Sequence, residues 1–183
     1  ILNIFFISYL GMNPAWVGVM FMVVRVWDAI NDPIMGTVVQ NTKSRFGKFR
    51  PWILIGSIIN AVVLLFVFRN PGLDPDSKGL FAYMTIFYTL WGMSYTLMDI
   101  PFWSMLPTFS KDQKVREKYT AVARIGAQIG FAVISAGSLV MAASLGGGDS
   151  NPQMIDGFFK LAIGVSILFV ITQIGVFLFV REE

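Results

Sequence analysis

Residues 14–68 read PAWVGVMFMVVRVWDAINDPIMGTVVQ, then NTKSRFGKFR, then PWILIGSIINAVVLLFVF. At about 1.5 Å per residue, each flanking apolar run is long enough to cross a hydrocarbon core of about 30 Å. The decapeptide between them carries Lys43, Arg45, Lys48 and Arg50, the excess of positive charge that stays on the cytoplasmic side of a membrane. Pro51 stands where the second run begins, a position that suits its missing N–H and fixed φ. The segment therefore reads as two antiparallel membrane helices joined by a basic turn.

Working outward, the same grammar repeats. Runs over 14–40, 51–68, 80–106, 119–145 and 157–180 read as five complete spans. Residues 1–10, ILNIFFISYL, read as half of a first helix. They lack the basic flank and small-residue cleavage site of a signal peptide, and the opening on Ile1 is read as a start inside a helix. The turns NPGLDPDSKG (70–79) and GGGDSNPQ (146–153) have loop chemistry. A second basic loop, PTFSKDQKVREK, carries Lys111, Lys114, Arg116 and Lys118, whereas the opposite turns hold Asp74 and Asp76 beside Arg69 and Lys78, then Asp149 and Asp156. The alternation directs helix 2 inward, helix 3 outward, and so on to helix 6, which ends at Arg181 on the cytoplasmic side.

Composition agrees. The chain is 55% hydrophobic and only 14% charged, where a soluble domain has about 25% charged residues. A net charge of +3 could suggest nucleic acid, but the basic residues lie in loops and form no aromatic-lined basic face. Cysteine and histidine are both absent, which excludes disulfides and thiolate or imidazole metal sites. The expected fold is an all-α polytopic membrane protein of the cell membrane, with residues 1–183 as one transmembrane bundle.

Five ionisable residues fall inside the predicted spans: Arg25, Asp28, Asp32, Asp99 and Arg124. Each costs roughly 2.5–3.5 kcal/mol on the insertion scale when unpaired at a helix centre, so they must face one another or water. One reading is a set of ion pairs holding the bundle together, Arg25 with Asp28 among them. The other is a binding site. In RVWDAINDP, Arg25, Asp28 and Asp32 share a face at i, i+3 and i+7, with Asn31 close by. Two carboxylates one turn apart and an amide oxygen make an oxygen-rich cage for a small monovalent cation. Pro33 withholds the N–H that the carbonyl of Ala29 would otherwise receive, and half-broken helices of this kind build ion sites in secondary transporters. A simple packing kink is the competing reading.

In SYTLMDIPFWS, Pro101 does the same to Leu97, while Thr96, Asp99 and Trp103 share a face. A carboxylate accepts paired hydrogen bonds from vicinal hydroxyls and an indole offers a flat apolar surface, together suiting a sugar ring. Against this, Trp91 and Trp103 could be interfacial aromatics. Tyr95, one turn above Asp99, can line the same cavity. Arg124, about one turn into the predicted fifth helix, either snorkels or faces Asp99 with its forked donors. Gln128 is a weaker candidate, and Gly126 and Gly130 suit close helix approach.

RVWDAINDPIMG, GKFRPWILIG and WGMSYTLMDIPFWS, in this order and spacing, resemble the melibiose carrier group, the glycoside-pentoside-hexuronide:cation symporters. The resemblance implies a major-facilitator-type fold of twelve helices, of which this chain is the N-terminal six-helix bundle with its first helix truncated. It further implies sugar uptake driven by sodium, lithium or protons. It places the cation site at Asp28, Asn31, Asp32 and Thr96, with Asp28 and Asp32 holding sodium, and the sugar site at Asp99, Trp103 and Arg124, with Tyr95 beside it. Asn31 leans the choice toward sodium. The implied partners are a sugar, a monovalent cation, the bilayer and a C-terminal half; no cofactor and no nucleic acid is expected. A symporter of another cargo, such as a lysophospholipid, is the alternative. An intramembrane hydrolase using Asp28 and Asp32 is disfavoured because both project from one helix, where a dyad needs facing elements. A purely structural subunit leaves the three aspartates unexplained.

Overall fold

The computed structural model describes residues 1–180 of the chain; Arg181, expected to close the sixth helix, lies outside the described residues. A short turn of α-helix, α1 (Leu2–Ile4), passes directly into a π-helical turn, Phe5–Tyr9. Five long helices follow: α2 (Pro14–Asn41), α3 (Arg50–Val67), α4 (Lys78–Met105), α5 (Gln113–Gly146) and α6 (Asn151–Phe179), with a 3₁₀ turn, Leu106–Phe109, after α4. The all-helical expectation holds, and side-chain caps account for the starts of α2, α4 and α5. Asn13 accepts from the Ala15 N–H at 2.9 Å, Ser77 from Leu80 at 3.1 Å and Asp112 from Lys114 at 2.8 Å.

Two starts differ from the periodicity reading. Asp112 opens α5 six residues before the expected 119, so Lys114, Arg116 and Lys118 ride on its first turns and Arg124 lies about three turns inside it. Ser150 and Gln153 form a capping box that opens α6 at Asn151, ahead of the expected 157. Polar first turns carry no apolar period, which is why hydrophobicity alone places both starts too late.

The expectation of half-broken helices is corrected. α2 runs unbroken through Pro33 and α4 through Pro101. One missing N–H removes a single rung, and the remaining ladder together with lateral packing carries the helix past it.

α2 packs on α4, α3 on both α4 and α6, and α5 on α6. Two apolar clusters hold the bundle at its ends. One gathers Phe5, Phe6, Val17, Met20, Leu80, Met84 and Phe158; the other, beside the first basic turn, gathers Val39, Phe49, Ile53 and Met105. Met20 and Val39 are about 28 Å apart along α2, and Asp28 and Asp32 fall midway between them.

Polar staples tie the helices laterally. The Asn60 amide of α3 donates to the Trp91 carbonyl at 3.1 Å and to the Ser94 hydroxyl at 3.0 Å on α4. Gly56 lets α3 approach closely there, since a Cβ on it would meet the Met98 backbone at 3.0 Å. Lys160, a charge inside the sixth run that sequence reasoning passed over, pairs with Asp156 at 2.6 Å and donates to the Leu145 carbonyl at the end of α5 at 3.1 Å. Gly126 and Gly130 meet nothing within 4 Å, so the close approach expected at them is not made among the described residues.

The outer surface is apolar. Met22, Val23, Val26, Ile30 and Ile34 on α2 and Val122, Ile125, Ile129 and Phe131 on α5 are each more than half exposed, as a chain solvated by lipid requires. By length and composition α3, α5 and α6 can cross a membrane. α2 and α4, each 28 residues and about 42 Å long, have the length but are more polar, because they carry the site.

Candidate functional site

Between α2 and α4 lies a hollow of about 320 Å³ lined by Arg25, Asp28 and Asp32 from one side and by Tyr88, Trp91, Gly92, Tyr95, Thr96 and Asp99 from the other. The α4 residues recur every three or four positions, so a single stripe of that helix faces a single stripe of α2. Five of the eight site residues expected from sequence, Asp28, Asp32, Tyr95, Thr96 and Asp99, line this one hollow.

Across it the Thr96 hydroxyl of α4 donates to Asp32 Oδ1 of α2 at 3.0 Å. The same hydroxyl lies 3.2 Å from the Gly92 carbonyl of its own helix. Asp28 is held differently. Its Oδ2 is 3.8 Å from Arg25 Nη1, a long contact to a side chain that is 80% exposed, and its Oδ1 is buried without a partner among the described residues. Arg25 therefore does not lock Asp28 as a bundle-holding pair would. Asn31 is buried with its amide nitrogen unpartnered among the described residues; it lies beside the hollow's aspartates in sequence but is not among the lining residues. An orphaned carboxylate oxygen next to a second carboxylate suits a small cation, because buried polar atoms without partners are rare unless something else satisfies them.

Gly92 makes this arrangement feasible. A Cβ there would sit 3.2 Å from Asp28 Oδ1 and 3.8 Å from Val24, so only a glycine lets α4 approach the carboxylate without displacing it. Sequence reasoning missed this residue, although a glycine inside an amphipathic helical run signals close approach.

Lower on α4 the Trp103 indole N–H donates to Asp99 Oδ1 at 3.0 Å. The Arg124 guanidinium stacks on the Trp103 ring with its carbon 5.5 Å from the centroid. Among the described residues no ion pair joins Arg124 to Asp99; Arg124 instead lines a more open hollow with Arg116, Glu117 and Thr120. The expectation of an arginine facing Asp99 is corrected, because three turns of helix precede it and carry it to the indole. Gln128 is exposed and lies outside the lining of the α2–α4 hollow. Trp91 is not interfacial: it sits in mid-helix, lines the hollow and has its indole nitrogen buried without a partner among the described residues.

The arrangement thus offers a cage of two carboxylates at one level and, about one to two turns away, Asp99 opening into the same space, with the Trp103 indole bonded to that carboxylate but outside the hollow's lining. A charge-bearing cavity at mid-bundle in an apolar-surfaced protein is the architecture of a carrier of polar solutes, and the comparisons with known proteins agree. The raffinose carrier protein of Pediococcus pentosaceus is 33% identical over 91% of this chain and 26% of its own length. The lactose permease of Lactobacillus delbrueckii subsp. bulgaricus is 34% identical over 87% of this chain and 26% of its own. An inner membrane symporter of Escherichia coli is 32% identical over 91% and 34%. The chain spans about a quarter to a third of the length of these relatives. The family described as MFS/sugar transport protein matches residues 1–183. With apolar helices, a polar hollow between two of them and a family match along its whole length, this chain is a multi-pass membrane protein that belongs to the MFS/sugar transport protein family, a family of transporters and not of enzymes.

Proposed function

We propose that this chain carries the cation site and part of the sugar site of a sodium-driven sugar symporter, as one half of a twelve-helix transporter that works by alternating access. The observation that carries the reading is that one hollow contains both Asp28 with Asp32 and Thr96, and Asp99. A monovalent cation bridging Asp28 Oδ1 and Asp32 neutralises α2 and draws it toward α4 through the Thr96 bond. That closes the distance to the Asp99 level, where a sugar's vicinal hydroxyls donate to the carboxylate. Cation and sugar then bind cooperatively, and by linkage each raises the other's affinity by the same factor. Asn31 belongs to the cation side. Trp103 and Arg124 support the sugar side as a stacked pair behind Asp99, and Tyr95 flanks it. A glycoside with a galactosyl ring is the substrate class, in keeping with what the raffinose and lactose carriers are named for.

The test is uptake of labelled lactose and raffinose into vesicles by the full-length protein, with a sodium, lithium or proton gradient as the only driving force. Asp28→Cys or Asp32→Cys is expected to remove cation-stimulated uptake while some sugar binding survives, and Asp99→Cys to abolish sugar binding. Unchanged sodium stimulation in Asp28→Cys refutes the cage. Binding of a lysophospholipid in place of a galactoside refutes the cargo.

A further inference from the structure

At the cytoplasmic end of the bundle two arginines lie on two phenyl rings. The Arg45 guanidinium carbon is 4.8 Å from the centroid of the Phe46 ring, and that of Arg50 is 4.9 Å from the centroid of the Phe177 ring. The two rings are 6.1 Å apart. Arg45 and Phe46 belong to the turn between α2 and α3, Arg50 opens α3, and Phe177 stands in the last turn of α6. The turn is fixed from within. The Trp52 indole N–H donates to the Thr42 hydroxyl at 2.9 Å, tying the start of α3 to the end of α2, and Phe49 is buried in the apolar cluster with Val39, Ile53 and Met105. Even so, Arg45 is exposed and Phe46 is half exposed, and among the described residues no ion pair engages Arg45.

Membrane topology asks for positive charge on this side; it does not ask for rings beneath the charge, nor for what runs beside them. From Phe177 an exposed apolar strip leads back along α6 through Leu178, Ile174, Ile171 and Ile167, which share one face of the helix. Between 167 and 178 the strip is about 16 Å long, close to half of a hydrocarbon core of about 30 Å. A cationic head, an aromatic boundary and an apolar track one leaflet deep are the complement of one lipid with a negative headgroup. We propose that this corner of the bundle binds a single anionic phospholipid of the cytoplasmic leaflet, its phosphate held by Arg45 and Arg50 and an acyl chain laid along α6. A guanidinium resting on a ring keeps the N–H donors of its edge for a phosphate, which it meets as a fork. A zwitterionic lipid offers the same phosphate and chains, but its ammonium is repelled by the two arginines, so charge selects between them. The bound lipid joins the α2–α3 turn to the end of α6 and stabilises the native bundle by linkage.

The experiment uses the purified, delipidated full-length protein and native mass spectrometry, with palmitoyl-oleoyl phosphatidylglycerol as the probe. Phosphatidylcholine of the same chains and inorganic phosphate are the comparisons, and a thermal melt with and without phosphatidylglycerol reads the linkage. One phosphatidylglycerol is expected to bind at least about fivefold tighter than phosphatidylcholine, to resist excess inorganic phosphate and to raise the melting temperature. Arg45→Gln removes an exposed charge, so the lipid-free melting temperature is expected to stay the same, while phosphatidylglycerol affinity falls roughly fivefold. Lys111→Gln, which removes the same charge from the second basic loop, is expected to leave that affinity unchanged. Equal affinity for the two lipids overturns the proposal. So does equal weakening by Lys111→Gln, because that pattern marks diffuse attraction between basic loops and a charged leaflet. Displacement by inorganic phosphate also overturns it, leaving an anion site with no use for the apolar track.

Discussion

Replacing Gly92 with alanine tests the geometry of the cation cage at its tightest point. The added Cβ would lie 3.2 Å from Asp28 Oδ1, closer than ordinary van der Waals contact, and the carboxylate must yield by a few tenths of an ångström. Taking an effective dielectric of about 20, moving one carboxylate oxygen from about 2.5 to about 3.0 Å from a monovalent cation loses about 1 kcal/mol. That corresponds to roughly a sixfold weaker cation. Folding is spared, since alanine in a helix interior is favoured over glycine by about 1 kcal/mol and no backbone atom lies among the close neighbours of the new Cβ. The assay is sodium titration of the purified full-length protein, with sugar binding measured separately without cation and a thermal melt as the folding check. The expected result is weaker sodium binding at unchanged sugar affinity and equal or higher melting temperature. A sodium affinity that matches the unsubstituted protein, with the fold intact, refutes the placement of Asp28 against α4 and with it the cage.

Thr96→Val removes the side-chain bond that joins α4 to Asp32 across the hollow. Hydrogen bonds to charged groups contribute about 1.5–3 kcal/mol, so sodium affinity is expected to fall at least about tenfold, as measured by calorimetry, with uptake becoming less cation-dependent. Trp103→Phe keeps a ring under Arg124 but deletes the N–H that reaches Asp99; sugar affinity is expected to fall several-fold while sodium affinity holds, in the same titrations. Gly157→Ala drives a Cβ into the Ala142 carbonyl backbone where α6 meets α5. Because backbone cannot step aside as a side chain can, the melting temperature is expected to drop by more than for any site variant, by the several degrees that overpacking of about 1–3 kcal/mol brings to a domain of this size.

Helix identity was readable along the chain because burial in lipid and the backbone's need for internal hydrogen bonds are imposed on each run separately. So was the candidacy of Asp28, Asp32 and Asp99: a carboxylate inside an apolar run is an anomaly wherever its neighbours turn out to be. Starts of α5 and α6 were less readable, since Asp112 and Ser150 cap polar first turns that have no apolar rhythm. Asn60 carried a usable signal, a lone amide in IINAVVLL, but its partners Trp91 and Ser94 belong to another helix.

The sequence by itself determined that apolar helices exist, the alternation of basic turns that orients them, and which carboxylates need an explanation. Only the tertiary structure decided that α2 faces α4, that Thr96 bonds Asp32, that Arg124 stacks on Trp103, and that Gly92 lies against Asp28. It also decided that α2 and α4 continue unbroken through their prolines. The reason is one of range. Spacing along one helix fixes which residues share a face, because the 3.6-residue period is local. The rotation of one helix against another and their offset along the bundle axis are set by side chains distant in sequence, packed in the two apolar clusters at its ends.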